Sequence, residues 1–446
     1  MKRIVQIATA LIILAGIVVL CVLRWDAWFG NLPEEAYSVA RYPHNVTVTF
    51  GENATSERTI SWRCDTVVHP SYLIYWTDGS NSRDTVITEG RLVFSRAEKA
   101  AFYNVTLSNL RPATYCFELH SGLHSSEVLQ TTVEEPDRLN EFVVLGDIQD
   151  KEGSFYRHVF ASVDSLFPDN AFIVQAGDLI ERPTDEYWQL FFNSLPEGYL
   201  HSPFVAATGN HEYLKGIYKH IDSRWTSIFY NPLNGPERAA GRSYFIDFPL
   251  MRLVVLDTDQ LHLFSDYTRA SAWLKKVLGD KKSDDRWKVV VMHHSVHSAG
   301  MGRYNPLVYA ACANALKNAD AVFAGHDHNY ARRVVWENDS TAEYISYVVT
   351  TSEKSYVGKL STKDDRVLTA HPVAGHVVMN DSILQIDTWR LDSMSLYDRV
   401  ILHKDRTLED CFINMPECID LPDRFVGEDS HNTRRFMQRR AERMNR

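Results

Sequence analysis

The chain opens with an apolar run over residues 4–23, interrupted only by Gln6 and Thr9 and preceded by Lys2 and Arg3. A run of that length matches the roughly 20 residues a helix needs to cross a bilayer. It ends in Cys21, Val22, Leu23, Arg24 and Trp25, without the small-residue cleavage site of a secretory signal. Residues 1–24 therefore read as an uncleaved transmembrane anchor and 25–41 as a linker. With Lys2 and Arg3 held on the cytoplasmic side, everything after Trp25 is expected outside the cytoplasm, with Trp25 and Trp28 at the outer interface. A cleaved signal peptide is the competing reading, and it exports the chain equally.

From 42 to 135 the period becomes two. Short alternating runs at 46–50, 59–62, 72–76 and 101–107, separated by turn residues, predict an all-β sandwich. A polar linker of Glu134, Glu135, Pro136 and Asp137 follows. Beyond it, apolar strands at 142–146, 171–176, 204–207, 253–257, 288–292 and 321–324 alternate with helical spacing at 154–166, 270–278 and 307–316. This pattern predicts an α/β domain over 138–405, with its chemistry at the carboxyl ends of the strands. The pattern fades over 406–446, an extension ending in the basic tail Arg434, Arg435, Arg439, Arg440, Arg443 and Arg446. A solvated helix is the default for such a tail, and anionic lipid or cell-wall polymer its alternative partner.

A chain of 446 residues implies two or three domains. Its 45% hydrophobic and 23% charged residues exclude wholesale disorder and a multispan membrane protein. The net charge of -10 argues against nucleic acid as a specific partner. Export permits disulfides, so the cysteines separate by position. Cys21 lies in the anchor, and Cys312 sits in an Ala-rich apolar stretch that suits a buried thiol. Alternation turns Cys64 inward with Trp62 but Cys116 outward between Tyr115 and Phe117, which argues against a bridge between them. Cys411 and Cys418, bracketing Pro416, are the best disulfide candidates. Asn45, Asn53 and Asn104 begin Asn-x-Thr sites that matter in a glycosylating host.

The strands of the α/β region end in metal-ligand residue types. Gly146 and Asp147 are followed by Gly177 and Asp178, then by Gly209, Asn210, His211 and Glu212. After these come His293 and His294, then Gly325, His326, Asp327 and His328. One such cluster is ordinarily a turn or helix cap, whereas five in succession point to a site. Carboxylate, amide and imidazole ligands suit Zn, Fe or Mn, and the lack of thiolates argues against structural zinc.

With these motifs in order, residues 42–404 resemble the calcineurin-like metallophosphoesterases and, within them, the plant-type purple acid phosphatases with a fibronectin type III-like N-terminal domain. The run Leu110, Arg111, Pro112, Ala113, Thr114 and Tyr115 resembles the tyrosine corner of that domain, with Trp62 as its core tryptophan. The resemblance implies a four-layer αββα domain and a dinuclear-metal phosphoester hydrolase, acting on monoesters or diesters with a metal-activated hydroxide as nucleophile. By the same analogy Asp147, Asp178 and His328 hold one metal, while Asp178, Asn210, His293 and His326 hold the other. Asp178 is then shared, which offsets the repulsion of two cations about 3.5 Å apart. His211 resembles the family histidine that contacts phosphate and assists the leaving group. His294 competes with His293 as ligand, since Ser295 replaces the Pro of the family's His-x-Pro, and the family pattern, with the ligand first, favours His293. Glu181 stands where the purple enzymes carry their tyrosinate, which favours Zn, Mn or ferrous iron over a ferric centre. Gln149 completes the first metal's ligands or hydrogen-bonds to them. His297, Tyr330 and Arg332 are candidates to touch substrate, with packing or ion pairing as their alternative. The expected substrate is a phosphorylated small molecule or envelope polymer. A non-catalytic adhesion or binding protein with a degenerate phosphatase domain is the alternative, and the filled ligand positions argue against it.

Overall fold

Because alternate residues of a strand face opposite ways, the apolar runs leave little freedom in how the sheets stack. The computed structural model describes residues 2–261, 263–280, 284–300, 303–356, 366–368 and 371–411, without the side chains of the first five residues, Ala8 and Phe264. Cys418, and with it the expected bridge to Cys411, lies outside the described residues, as does the basic tail.

His44–Phe50, Arg58–Arg63, Lys99–Leu107 and Arg91–Phe94 form one face of a β-sandwich. Ser71–Thr77, Asp84–Thr88, Ala113–Ser121 and Leu129–Val133 belong to the other. Val48, Ile60, Trp62, Leu73, Phe117 and Leu119 fill the space between. Trp62 stacks on Tyr103 at 5.4 Å and donates its indole N–H to Ser121 Oγ at 3.1 Å, the partner a buried tryptophan needs. The Tyr115 hydroxyl accepts the Arg111 N–H at 3.0 Å, which is the geometry of a tyrosine corner. Cys64 lies in this core while Cys116 faces Asp78 and Gln130, and both are free thiols.

In the α/β region two sheets face each other. Glu141–Leu145, Ile173–Gln175 and Phe204–Ala206 run parallel in the first. Met251–Leu256, Trp287–Met292, Ala321–Ala324 and Ala342–Val348 run parallel in the second. Val144, Val174 and Val205 meet Leu253, Val289 and Phe323 between the sheets. The neighbours Val143, Leu145 and Ile173 point the other way, onto the helices Ser154–Leu166 and Asp185–Phe192. Phe264–Leu278 and Pro306–Leu316 cover the outer face of the second sheet. The layers are thus helix, sheet, sheet, helix, as expected.

The first sheet does not stop at the linker. Thr49 pairs in parallel with Phe204, so the sandwich face and the central strands form one eleven-stranded sheet. Arg63 and Asp185 make a buried ion pair across the same junction. At the amino end a helix spans Lys2–Leu23 and a short one Trp25–Phe29. Among the described residues, no helix is long and apolar enough to cross a membrane.

Candidate metal centre

The strand ends of the two sheets meet at a seam, and the glycines of the motifs set how closely they approach. A Cβ on Gly209 would lie 2.2 Å from the Asp178 carboxylate, and one on Gly325 would lie 2.7 Å from Asp147 Oδ2. Five non-glycine residues of the seam, Asp147, Gln149, Asp178, His326 and His328, hold positive φ between 46° and 72°. Such conformations cost on the order of 1 kcal/mol or more each and persist only where the surroundings over-determine them.

What they accomplish is convergence. Donor atoms of Asp178, His293 and His326 lie within 4.8 Å of one another, and so do those of Asp147, Asp178 and His328. Asp178 belongs to both groups. Asn210 Oδ1 lies 3.3 Å from His293 Nε2, on the side of the first group. Gln149 donates its amide N–H to Asp178 Oδ2 at 2.8 Å, leaving its buried Oε1 without a hydrogen-bond partner. An orphaned acceptor beside two buried carboxylates is what a cation would satisfy. Metallophosphoesterases and purple acid phosphatases use two metal ions, and this donor set fits two.

Backbone groups orient the ligands. The Ala176 carbonyl accepts from His293 Nδ1 at 3.0 Å and the Lys354 carbonyl from His328 Nδ1 at 2.9 Å, so each ring presents Nε2 inward. The His326 N–H donates to both oxygens of Asp147 at 2.9 and 2.8 Å, and the His211 N–H donates to Asp178 Oδ1 at 2.7 Å. Thr350 adds a hydroxyl bond to Asp147 at 3.1 Å. Burial pushes Asp147 up to about 7 and His328 down to about 3. Burial also opposes the charge on Asp178, but His293 and His211 outweigh it and hold Asp178 well below the usual carboxylate range. Asp178 in turn overcomes the burial of His293 and holds its imidazolium well above the usual range.

His211 sits at the rim. Its Nδ1 donates to the Glu181 carbonyl and its Nε2 lies 3.9 Å from Asp178 Oδ2. Glu181 pairs with Lys151 at 3.2 Å, taking no part in either ligand group. His294 lies outside both groups, bonded to Thr258 Oγ1 at 2.9 Å.

Three expected substrate contacts are not at the seam. Tyr330 and Arg332 are buried between the sheets, where the Tyr330 hydroxyl donates to Asp398 at 2.6 Å and Arg332 pairs with Asp398 at 2.7 Å and Asp410 at 2.9 Å. They open the strand Tyr330–Trp336, whose alternation turns every second residue into the core. His297 bonds the Tyr344 hydroxyl at 2.8 Å, among the side chains under the outer helices. Proximity in sequence to a ligand motif misplaced all three.

Two residues at the seam, one named in a motif and one not, were given no role from the sequence. Glu212, fully buried, accepts the N–H groups of Asp178, Leu179, Ile180 and Gly209 at 2.7 to 3.2 Å and so locks two ligand loops together. Its place beside His211 was the available signal. Arg303 brings Nη1 to 3.1 Å from His326 Nε2 and stacks over Tyr356. Nothing in the periodicity around it marked it.

Fold and seam together define a two-metal hydrolase of the αββα type, and the comparisons place it further. The family model described as calcineurin-like phosphoesterase matches residues 141–330. Purple acid phosphatase 4 of Arabidopsis thaliana is 25% identical over 261 residues, 50% of this chain and 73% of that protein. Purple acid phosphatase 17 of the same plant is 26% identical over 223 residues, 42% of this chain and 62% of that protein. A solved structure of PhoD shares the fold over 91% of this chain and 100% of its own, with TM-score 0.60 and 13% identity. Residues 141–330 thus match the calcineurin-like phosphoesterase model, and the chain is a purple acid phosphatase-like, metal-dependent phosphoester hydrolase.

Proposed function

We propose that the chain is a membrane-anchored, export-side phosphomonoesterase or phosphodiesterase acting on phosphorylated small molecules or envelope polymers. The observation that carries the hydrolytic part is the pair of ligand groups sharing Asp178. One metal is assigned to Asp147, Gln149, Asp178 and His328, the other to Asp178, Asn210, His293 and His326. When bound, the pair supplies positive charge at the phosphate oxygens and activates the attacking water.

The chain's own residues do the rest. The Glu181 carbonyl holds His211 through Nδ1 and turns Nε2 toward Asp178, 3.9 Å away, where the imidazolium form would give its Nε2 proton to the departing ester oxygen. Glu212 and the His326 N–H hold the carboxylates at their spacing, which limits reorganisation during reaction. Arg303 supplies a further positive charge on the side of His326.

Anchoring rests on the helix Lys2–Leu23, where eleven large apolar side chains from Ile7 to Leu23 are exposed. The apolar run over residues 4–23, whose first two and fifth side chains lie outside the described ones, matches in the sequence the roughly 20 residues a crossing helix needs. The side orientation rests on Lys2 and Arg3. Metal analysis and turnover of aryl phosphate mono- and diesters by the full chain test the reading, with Asn210→Ala and His326→Ala as controls. Stoichiometric metal and turnover lost in both variants is the expected result. A metal-free wild type, or variants as active as it, would refute it.

A further inference from the structure

The cavity beside His211 has an unusual wall. Its volume is about 870 Å³, and one side is made by Glu181, Asn210 and His211. Asp26, Ala27 and the stretch from Gly30 to Pro33 of the chain's own juxtamembrane segment line it as well. That segment is clamped in place. Asn31 exchanges hydrogen bonds with the Lys215 backbone at 2.8 and 3.0 Å, and Arg96 donates to the Leu32 carbonyl at 2.7 Å. Glu34 follows as a buried anion paired with Arg224 and accepting the Asp185 N–H at 2.8 Å.

Geometry then ties the cavity to the anchor. Asp26 is three residues past Leu23, the end of the apolar helix, and three residues span at most about 11 Å. Trp25 and Trp28, each 47% exposed, flank it at the depth where tryptophans settle among lipid headgroups. The lining of the cavity is richer in cations than the chain as a whole, which carries a net charge of -10. Arg96, Arg182, Lys215 and Lys219 line it against Asp26, Glu181 and Glu186, with Arg96 also paired to Glu34 and Lys219 to Asp259. Glu181 is further offset by Lys151 at 3.2 Å. A cationic mouth at headgroup depth draws anionic lipid toward it.

We infer that the substrate is a phosphoester borne on a lipid of the same membrane, entering between the juxtamembrane segment and the metal centre. This rests on the anchored-hydrolase reading above. Water adds its oxygen to phosphorus, the ester P–O bond breaks, and the departing oxygen takes a proton. A lipid phosphomonoester would thus leave as the lipid alcohol and inorganic phosphate.

The full chain, metal-loaded and reconstituted in vesicles, tests this with defined probes. Phosphatidate and phosphatidylglycerol are offered in the same vesicles and in separate ones, beside free glycerol 3-phosphate and an aryl phosphate. Confinement in one membrane should speed hydrolysis of at least one lipid roughly tenfold or more over the same lipid in separate vesicles. As a readout independent of turnover, a fluorescent amino acid is incorporated at position 186, on the mouth, or at position 381. Position 381 lies in a hairpin at the opposite end of the strand Glu141–Leu145 from Asp147. Quenching by headgroup-labelled lipid should be strong at 186 and weak at 381. Aryl phosphate turnover without a same-membrane advantage, faster use of free glycerol 3-phosphate, or equal quenching at both positions would each overturn the inference and leave the hydrolase intact. Absence of turnover on every probe would overturn the hydrolase reading itself, and this one with it.

Discussion

The two sheets bring opposite chemistries to their shared seam. The first supplies oxygen donors, Asp147, Asp178 and Asn210, while the second supplies imidazoles, His293, His326 and His328. Carboxylates need N–H donors to hold them and imidazoles need an acceptor for the outer N–H; Asp147 and His293 obtain these from the opposite sheet, Asp178 and His328 from their own. The His326 N–H of the second sheet grips Asp147 of the first, and the Ala176 carbonyl of the first orients His293 of the second. Neither half of the centre is formed until the sheets have packed. Preorganisation here is a property of the interface between layers rather than of any one loop.

The strongest way to break this relation is at the side chain both ligand groups share. Asp178→Asn removes one negative charge from both, and metal analysis should find both ions lost, with kcat down on the order of 10³-fold or more. Next comes a bridge between the same sheets away from the seam. Arg332→Ala leaves Asp398 buried without its cation and should cost about 3–5 kcal/mol in urea unfolding, while kcat per folded molecule stays near wild type. A smaller effect isolates the rim from the ligands. His211→Gln should retain two metals by elemental analysis yet lose on the order of 10²-fold in kcat, with the alkaline limb of the pH profile altered.

The smallest effect lies at the junction of sandwich and α/β layers. Burial, then the charge of Arg63, pulls His44 down to about 4 from an ordinary 6.5. The folded state therefore binds fewer protons than the unfolded chain between these values. Stability from this group is complete above pH 6.5 and falls as pH drops toward 4, by on the order of 2–3 kcal/mol. His44→Gln still offers Arg63 an acceptor but does not titrate. Its stability at pH 4.5 relative to pH 7 should fall less than that of the wild type; an equal fall would remove His44 as the cause.

Much of this was legible in the chain. Alternation placed Trp62 and Cys64 together and Cys116 apart, and strand ends bearing Gly before Asp, Asn or His marked the seam, because those residues must tolerate close approach or left-handed backbone. What was not legible was direction and partnership. Tyr330 and Arg332 follow a ligand motif immediately, but the strand that begins there sends them into the core. Pairing of Thr49 with Phe204 depends on residues 155 positions apart, with no local pattern to announce it. Arg303, and the stretch from Gly30 to Pro33, reach the site only through tertiary folding.

That single parallel pairing has a consequence for anyone who wishes to cut the molecule. Excising the sandwich at residues 134–137 would strip Phe204–Ala206 of its neighbour and leave its backbone amides and carbonyls open to any passing chain. The portion carrying the metal ligands would be more prone to self-association than the intact protein, however neatly the linker divides the text.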